Sequence, residues 1–248
     1  IIMVAYDGTD YHGWQEQIYD RTVAGTLQKS FEQVFGHPIK TVGASRTDAG
    51  VHACCQIARF YTNLSIDTTI MLRSWNGALP NDITLISLTP SPDYFHPQHN
   101  VVKKTYHYYF SSHRPLPFDS RYVYYYPYTF CIKKLEHNLQ LFVGTHNFAA
   151  FCTGNFPTDI TQCTVDSIVL IFDREREIYC IEVQGKRFLH HMIRRIVGAA
   201  LKNASQDNYN HHAIIDALNQ GIINYRLPTA PACGLILKKI IYERSPYE

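Results

Sequence analysis

Apolar and polar residues alternate along this chain with two periods, one typical of helices and one typical of strands. The helical period is clearest after Thr22, which can cap a helix whose apolar stripe continues to Val34 and stops before Gly36. Asp67 can cap a second helix in the same way. The predicted helices cover 23–34, 68–77, 132–142 and 189–201.

Strand-like alternation falls before, between and after these helices. The predicted strands cover 1–6, 39–42, 53–60, 83–88, 105–111, 122–128, 164–172 and 177–184. Strands and helices follow a β-α-β-β-α-β order that is roughly repeated, although the two halves share no detectable sequence repeat. This order predicts an α+β fold with a largely antiparallel sheet.

The length and composition of the chain are those of a globular protein. Its 248 residues, with 46% hydrophobic content, can bury a core in one large domain or in two closely packed halves. No apolar stretch approaches the length of a membrane span, and the start of the chain lacks the basic region and cleavage site of a secretory signal. We therefore expect a cytoplasmic protein that does not cross a membrane.

Cysteines and histidines do not form a recognisable metal or disulfide pattern. The seven cysteines are odd in number and contain no C-x-x-C pair, which argues against a disulfide framework and a zinc ribbon. Thirteen histidines leave a metal-assisted hydrolase as one alternative function. The closest histidine pairs lie at 96 and 99, 190 and 191, and 211 and 212. None matches a zinc signature, so no metal is expected.

The formal net charge of +2 says little about partners, because a nucleic-acid-binding protein needs a basic face more than a basic total. The cations do cluster along the chain, at 103–104, 114 and 121, 186–187, and 194–195. Tyr106, Tyr108 and Phe188 lie among them. Aromatic rings interleaved with cations favour a surface that binds both phosphates and bases.

One short segment, 43–53, combines charge with small residues and reads G-A-S-R-T-D-A-G-V-H-A. It places the carboxylate of Asp48 near the guanidinium of Arg46, on a loop between two predicted strands. Small neighbours allow a substrate to approach the acid closely. Taken alone, however, the motif is more typical of a surface turn in which Asp48 bonds its own backbone.

Other segments of the chain change that interpretation. The block 46–53 resembles the active-site signature of the tRNA pseudouridine synthases of the TruA family. Further blocks resemble that family in the same order, at 6–15, 76–83, 103–108, 188–198 and 230–235. The resemblance implies a largely antiparallel mixed sheet built from two ferredoxin-like halves, 1–100 and 101–248. In the family the two sheets join, with helices on one face and an RNA-binding cleft between the halves.

The same resemblance implies an isomerase that converts uridine to pseudouridine in the tRNA anticodon stem-loop, at tRNA positions 38 to 40. The reaction breaks the bond between ribose C1′ and uracil N1, turns the base over and rejoins it through C5. No redox step is involved, so no cofactor is expected. The implied partners are tRNA and a second copy of the chain in a homodimer.

The resemblance also implies roles for individual side chains. Asp48 is the implied catalytic acid, acting either as a nucleophile on C1′ or as a base at C2′, and the sequence leaves both routes open. Either route needs an ionised carboxylate, and Arg194 is the implied cation that pairs with it. Phe188 and Leu189 match the family's pocket-lining block.

Tyr106 matches the family's base-stacking tyrosine, and its phenol could also relay the C5 proton, whose acceptor stays open. Arg46 could pair with Asp48 or fill the space that an extruded uridine leaves. Weaker candidates for RNA binding are Lys103, Lys104, Arg187 and Arg195. The main alternative is an RNA-binding or tRNA-chaperone module of the same fold that has no turnover.

Overall fold

The computed structural model describes residues 1–154, 157–206, 212–220 and 227–245. The chain divides into two compact units. The first contains 1–102 and the segment that begins at Ile236, and the second contains 103–235. The last strand, which begins near Ile236, belongs with the first unit. The two halves expected at 1–100 and 101–248 remain a prediction.

Strands and helices alternate through the described residues. The strands are β1 (Ile2–Tyr6), β2 (Val42–Gly43), β3 (His52–Arg59), β4 (Ile83–Leu88), β5 (Val101–Ser111), β6 (Tyr124–Tyr125), β7 (Gly144–Asn147), β8 (Gln162–Asp173), β9 (Ile178–Gly185) and β10 (Leu235–Tyr242). The helices are α1 (Val23–Phe35), α2 (Thr68–Ala78), α3 (Ile132–Gln140), α4 (Thr158–Thr161), α5 (Met192–Ala204) and α6 (His212–Gln220).

The sheet of the first unit has the strand order β4-β1-β3-β10. Strand β1 is antiparallel to both of its neighbours, whereas β10 runs parallel to β3, with Ile236 opposite His52. Helices α1 and α2 pack through Phe31 and Trp75, whose ring centroids lie 4.8 Å apart. The indole N–H of Trp75 donates to Ser30 Oγ at 2.9 Å, so this buried polar atom is satisfied inside the core.

The sheet of the second unit has the strand order β5-β9-β8-β7, and each neighbouring pair is antiparallel. Tyr108 on β5 pairs with Ile181 on β9, and both side chains are buried. Helices α3 and α5 contact each other, and the side-chain amide of buried Asn138 donates to Ala200 O at 3.1 Å. A covered sheet face and a helix pair therefore form the core of this unit.

The α+β fold with a largely antiparallel sheet is confirmed, and so are two predicted helix starts. Thr22 Oγ1 accepts a hydrogen bond from the Gly25 N–H at 3.2 Å, and it caps α1. The Asp67 carboxylate accepts from the N–H groups of Thr69 and Ile70, and it caps α2. Within the described ranges, no helix combines the length and apolar character needed to span a membrane.

Two predicted strands are much shorter than expected. The strand expected at 39–42 is reduced to β2, because the Thr41 N–H donates to Gln28 Oε1 at 3.0 Å instead of to a neighbouring strand. The strand expected at 122–128 is reduced to β6, since the Tyr122 N–H donates to Asp119 O at 2.8 Å in a turn and Pro127 has no N–H to donate. Both corrections arise from hydrogen bonds that an apolar alternation does not encode.

One predicted helix begins later than its apolar stripe. The helix expected over 189–201 begins at Met192, because His191 adopts a left-handed φ of 63° immediately before it. Leu189 therefore lies in the turn before α5, where its carbonyl accepts from the Met192 N–H at 3.0 Å. The sequence pattern predicts neither β7 nor β10.

The cysteines are free thiols throughout. Cys152, Cys163 and Cys180 are buried, Cys55 and Cys233 are partly buried, and Cys54 and Cys131 are exposed. Burial raises the pKa of Cys152 and Cys163, which keeps these thiols protonated and unreactive. Of the paired histidines, His211 lies outside the described residues.

Candidate functional site

Asp48 lies on the loop between β2 and β3, as the sequence predicts. Its side chain is half-buried and that of Arg46 is exposed, whereas Thr47 between them is buried. Gly50 closes the loop with a φ of 76°, a conformation that glycine adopts without strain. The loop therefore turns Thr47 inward and leaves its two charged neighbours closer to the surface.

The N-terminal segment holds this loop from one side. Gly13 has a φ of 88°, and a Cβ at this position would lie only 2.6 Å from Thr47 O and 3.2 Å from Ala49 N. The next residue, Trp14, donates its N–H to Thr47 O at 3.1 Å. Only glycine allows the two backbones to approach this closely, which explains why the block at 6–15 accompanies the Asp48 motif.

Further contacts hold the same loop from the inside of the unit. Tyr6 Oη and Thr47 Oγ1 share a hydrogen bond of 2.8 Å. Gln56, which is fully buried on β3, accepts from Ser45 N at 3.1 Å and donates to Ser45 O at 2.6 Å. Gly8 allows equally close contact, since a Cβ there would lie 2.0 Å from Val51 O. The backbone that carries Asp48 is therefore fixed before any substrate binds.

The sequence predicts the acid but not its supports. Gln56 is a buried polar side chain in the middle of β3, and Thr47 lies inside the motif itself. A polar residue between the apolar residues at the centre of a strand is the signal that could have identified Gln56, because a buried amide needs hydrogen-bond partners.

In the second unit, Tyr106 lies on β5 with 6% of its surface exposed. Its ring meets that of Phe188 edge to face, with centroids 5.4 Å apart and an interplanar angle of 85°. Phe188 in turn lies over Gly185, where a Cβ would be 3.0 Å from the Phe188 ring. Two of the predicted site residues thus pack together, and Phe188 fixes the ring plane of Tyr106.

Arg194 lies in the first turn of α5, and a neighbouring segment orients it. Its Nε donates to Ala230 O at 2.8 Å, and the Ala230 N–H donates to Arg194 O at 3.0 Å. Gly198, one turn later, allows Pro228 O to approach, since a Cβ would lie 2.3 Å from that oxygen. The two C-terminal sequence blocks, 188–198 and 230–235, therefore hold one another.

Tyr108 supports the same arrangement from the sheet. Its phenol donates to Pro231 O at 2.8 Å, and desolvation by burial raises its pKa well above 10. Gly234 packs directly against this tyrosine, with a Cβ there only 2.8 Å from the Tyr108 ring. A neutral phenol is therefore built into the unit as a hydrogen-bond donor.

The four candidate RNA-binding cations differ in what they contact. Lys103 Nζ donates to Gln184 Oε1 at 3.0 Å. Lys104 lies two residues before Tyr106 on β5, so the two side chains share one face of the sheet. Desolvation by burial lowers the pKa of Lys104 to about 8. Arg187 donates to Ile160 O at 2.7 Å.

Arg195 donates to Cys152 O and, at 2.9 Å, to Thr153 Oγ1. Like Arg187, it therefore binds the backbone between β7 and β8. These two arginines stabilise the second unit itself, a role that their basic sequence context does not reveal.

The sequence matches a known protein family over most of its length. A family model described as tRNA pseudouridine synthase matches residues 2–100 and 139–243. The matched ranges contain Asp48, Phe188 and Arg194, whereas Tyr106 falls in the gap between them.

Curated relatives are similar over nearly their full length. tRNA pseudouridine synthase A of Thermodesulfovibrio yellowstonii is 34% identical over 96% of this chain and 97% of its own length. The protein of the same name from Thermoanaerobacter sp. strain X514 is 34% identical over 98% of both chains. tRNA pseudouridine synthase A 2 of Protochlamydia amoebophila is 34% identical over 97% of this chain and 93% of its own length.

Proposed function

The chain belongs to the tRNA pseudouridine synthase family and is an isomerase, and from this premise we propose that Asp48 is its catalytic residue. We propose uridines of the tRNA anticodon stem-loop, at positions 38 to 40, as its substrates. The observation that supports Asp48 most strongly is its position on a loop whose backbone is fixed by Gly13, Trp14 and Gln56. A fixed carboxylate needs no reorganisation when the sugar arrives.

The proposed reaction uses the carboxylate of Asp48 at the ribose. As a nucleophile it attacks C1′ and displaces uracil through N1; as a base it removes the C2′ proton while the bond from C1′ to N1 breaks. The detached uracil then turns over and C5 bonds to C1′. This step displaces the Asp48 carboxylate from C1′ in the first route and returns the abstracted proton to C2′ in the second. The C5 proton then leaves to solvent and N1 gains a proton, so that the product is an isomer of uridine. Both routes conserve all atoms between uridine and pseudouridine, and neither consumes a co-reactant.

Tyr106 and Phe188 are the proposed holders of the detached base. An aromatic face retains a base through rotation because stacking does not demand one set of hydrogen bonds. The edge-to-face contact of 5.4 Å supports this role, since it keeps the Tyr106 ring in one plane. Leu189 is the proposed apolar neighbour of the base, and the Tyr106 phenol is a candidate acceptor for the C5 proton.

Arg194 and Arg46 are proposed as the cations of the reaction. Arg194 would keep the catalytic acid ionised, and its Nε bond to Ala230 O, at 2.8 Å, supports a fixed orientation of its guanidinium. Arg46 is exposed, which suits a side chain that occupies the space of an extruded uridine. Lys103 and Lys104 are the proposed contacts to RNA phosphates, with weaker roles for Arg187 and Arg195.

The finer architecture is part of the same proposal. Each unit combines a sheet with a helix pair, which supports the interpretation of the units as two ferredoxin-like halves. A homodimer and a cytoplasmic location are proposed because they suit an enzyme that binds tRNA.

The experiment that tests this function is release of tritium from tRNA labelled at uracil C5. The expected result is release without added cofactor and without sensitivity to chelators. A non-catalytic RNA-binding module would retard the labelled tRNA in a gel and release nothing. Loss of activity with a chelator would instead favour a metal-assisted reaction.

A further inference from the structure

A short loop in the first unit exposes two large side chains at its tip. We define the tip loop as residues 16–21, between Gln15 and the cap of α1. Ile18 is 90% exposed and Tyr19 is 97% exposed, which leaves nearly all of their apolar surface in contact with water. Together they form a small contiguous apolar surface, which is the type of surface that contacts a partner.

The base of the tip loop is fixed. The His12 N–H donates to Arg21 O at 2.8 Å, and Gln17 Nε2 donates to His12 O at 3.1 Å. The guanidinium of Arg21 bonds Tyr11 Oη at 2.8 Å and Asp82 at 2.9 Å. Hydrogen bonds therefore close the loop at its base, and the exposure of the tip is a property of a defined conformation.

The same base is attached to the Asp48 loop. Trp14 donates to Thr47 O at 3.1 Å, and the Gly50 N–H donates to Tyr11 O at 3.0 Å. The tip loop and the Asp48 loop therefore share one backbone anchor in the first unit.

Charged residues of both signs line the surface beside the tip. A groove of about 560 Å³ runs between the tip loop and α1, and its charged lining residues are Glu16, Asp20, Arg21, Lys29 and Lys40. Lys40 is paired with Glu16 at 2.7 Å, so Lys29 is the better candidate for a phosphate contact. An exposed aromatic ring beside lysine is the combination that binds unpaired nucleotides.

We propose that Tyr19 stacks on an unpaired base of the RNA loop that carries the target uridine, while Lys29 contacts a backbone phosphate. This inference rests on the proposed function, because it requires the RNA to present a uridine to Asp48. Stacking by Tyr19 would hold the strand beside the extruded base without reading its sequence. Ile18 extends the apolar contact.

The test measures tRNA affinity in the inactive Asp48→Asn background, so that turnover does not affect binding. Tyr19→Ala is expected to raise Kd for unmodified tRNA about tenfold, the size expected for loss of one stacked base. Tyr19→Trp keeps an aromatic face and is expected to stay within about twofold of the parent. Tyr61→Ala is the matched control, since Tyr61 is a 73% exposed tyrosine of the same unit and is expected to leave Kd unchanged.

Salt dependence separates stacking from charge. Lys29→Ala is expected to lower the slope of log Kd against log salt by about one, because one phosphate contact is lost. Tyr19→Ala is expected to weaken binding equally at every salt concentration. A merely structural role for Tyr19 would give equal losses for the alanine and tryptophan variants.

Three outcomes overturn the inference: equal affinity of Tyr19→Ala and the parent, equal losses for Tyr19→Ala and Tyr19→Trp, or a change in oligomeric state in place of tRNA binding. The last would assign the tip to a contact between copies of the chain. These readouts are independent of tritium release by the wild-type protein. Absence of that release would overturn the proposed function by a separate measurement.

Discussion

At the residue scale, hydrogen bonds of the neighbouring residues fix the backbone around Asp48. Thr47 beside it is buried and bonded to Tyr6 Oη at 2.8 Å, and Gln56 bonds both backbone groups of Ser45. These contacts fix the main chain on both sides of the half-buried Asp48 side chain. A rigid main chain of this kind suits the proposed role of Asp48 as the catalytic acid.

Gln56 is therefore expected to affect turnover although it lies outside the reacting atoms. Gln56→Leu keeps the volume of the side chain and removes both hydrogen bonds to Ser45. We expect kcat to fall about tenfold or more, because small displacements of a catalytic group are costly, while Kd for tRNA stays nearly unchanged. Single-turnover tritium release and gel retardation measure the two quantities. An equal loss in both would assign Gln56 to folding alone.

Lys104 predicts a pH dependence of stability. Desolvation lowers the pKa of the Lys104 ammonium group from 10.5 in the unfolded chain to about 8 in the folded protein. Between these two pH values the unfolded chain therefore keeps a proton on Lys104 that the folded protein has lost. The free energy of unfolding should therefore rise as pH increases from about 8 to 10.5, and below about 8 the penalty is fully present. Urea unfolding should show that Lys104→Met has the higher free energy of unfolding at pH 8. This difference from wild type should decrease as the pH rises toward 10.5. A constant difference would contradict the assignment.

Among the helices and strands, the boundaries that can be predicted from the sequence are those set by residues next to them in the chain. Thr22 and Asp67 cap α1 and α2 as predicted, because a capping side chain needs only its own next three residues. Strand β2 and the start of α5 are not predictable in this way. They depend on Gln28, a distant side chain, and on the left-handed φ of His191.

The candidate site follows the same rule. The motif and the ordered blocks predict Asp48, Tyr106 and Arg194 as site residues from the sequence, and their roles remain a prediction. The pairing of the block at 188–198 with that at 230–235, and the use of Arg187 on backbone carbonyls, depend on tertiary contacts that a linear pattern does not contain.

The close contact of Gly13 with the Asp48 loop couples the N-terminal segment to that loop, so we expect a change at Gly13 to affect turnover. Gly13→Ala places a methyl group 2.6 Å from Thr47 O and imposes a positive φ on alanine. We expect turnover to fall about 10- to 100-fold with a lowered Tm. Gly77→Ala is the control, because a Cβ there meets nothing within 4 Å. Its turnover should be unchanged, and similar activities for both variants would argue against the coupling.

At the scale of the whole molecule, the chain returns to its first unit at the C-terminal end. Strand β10 pairs with β3 in parallel, with Leu237 opposite Ala53. The sequence assigns this segment to the second half simply because it lies there in chain order. A parallel pairing across such a separation leaves no local signal.

We therefore expect a substitution at Leu237 to destabilise strands that lie far from it in the sequence. Its side chain is fully buried, and Leu237→Ala should cost about 3 kcal/mol of stability. Hydrogen exchange should then increase in β3 and β1, more than in β8 and β9. Faster exchange confined to the second unit would contradict the division of the chain at Ile236.

The most direct test of the central claim is tritium release from C5-labelled tRNA by Asp48→Asn, with tRNA affinity measured on the same preparation. Asp93→Asn, an exposed acid of the same unit, is the control. We expect Asp48→Asn to release no tritium and to bind tRNA within about tenfold of wild type, because only the reacting carboxylate is lost. Release by Asp48→Asn at a rate comparable to wild type would remove Asp48 from the mechanism.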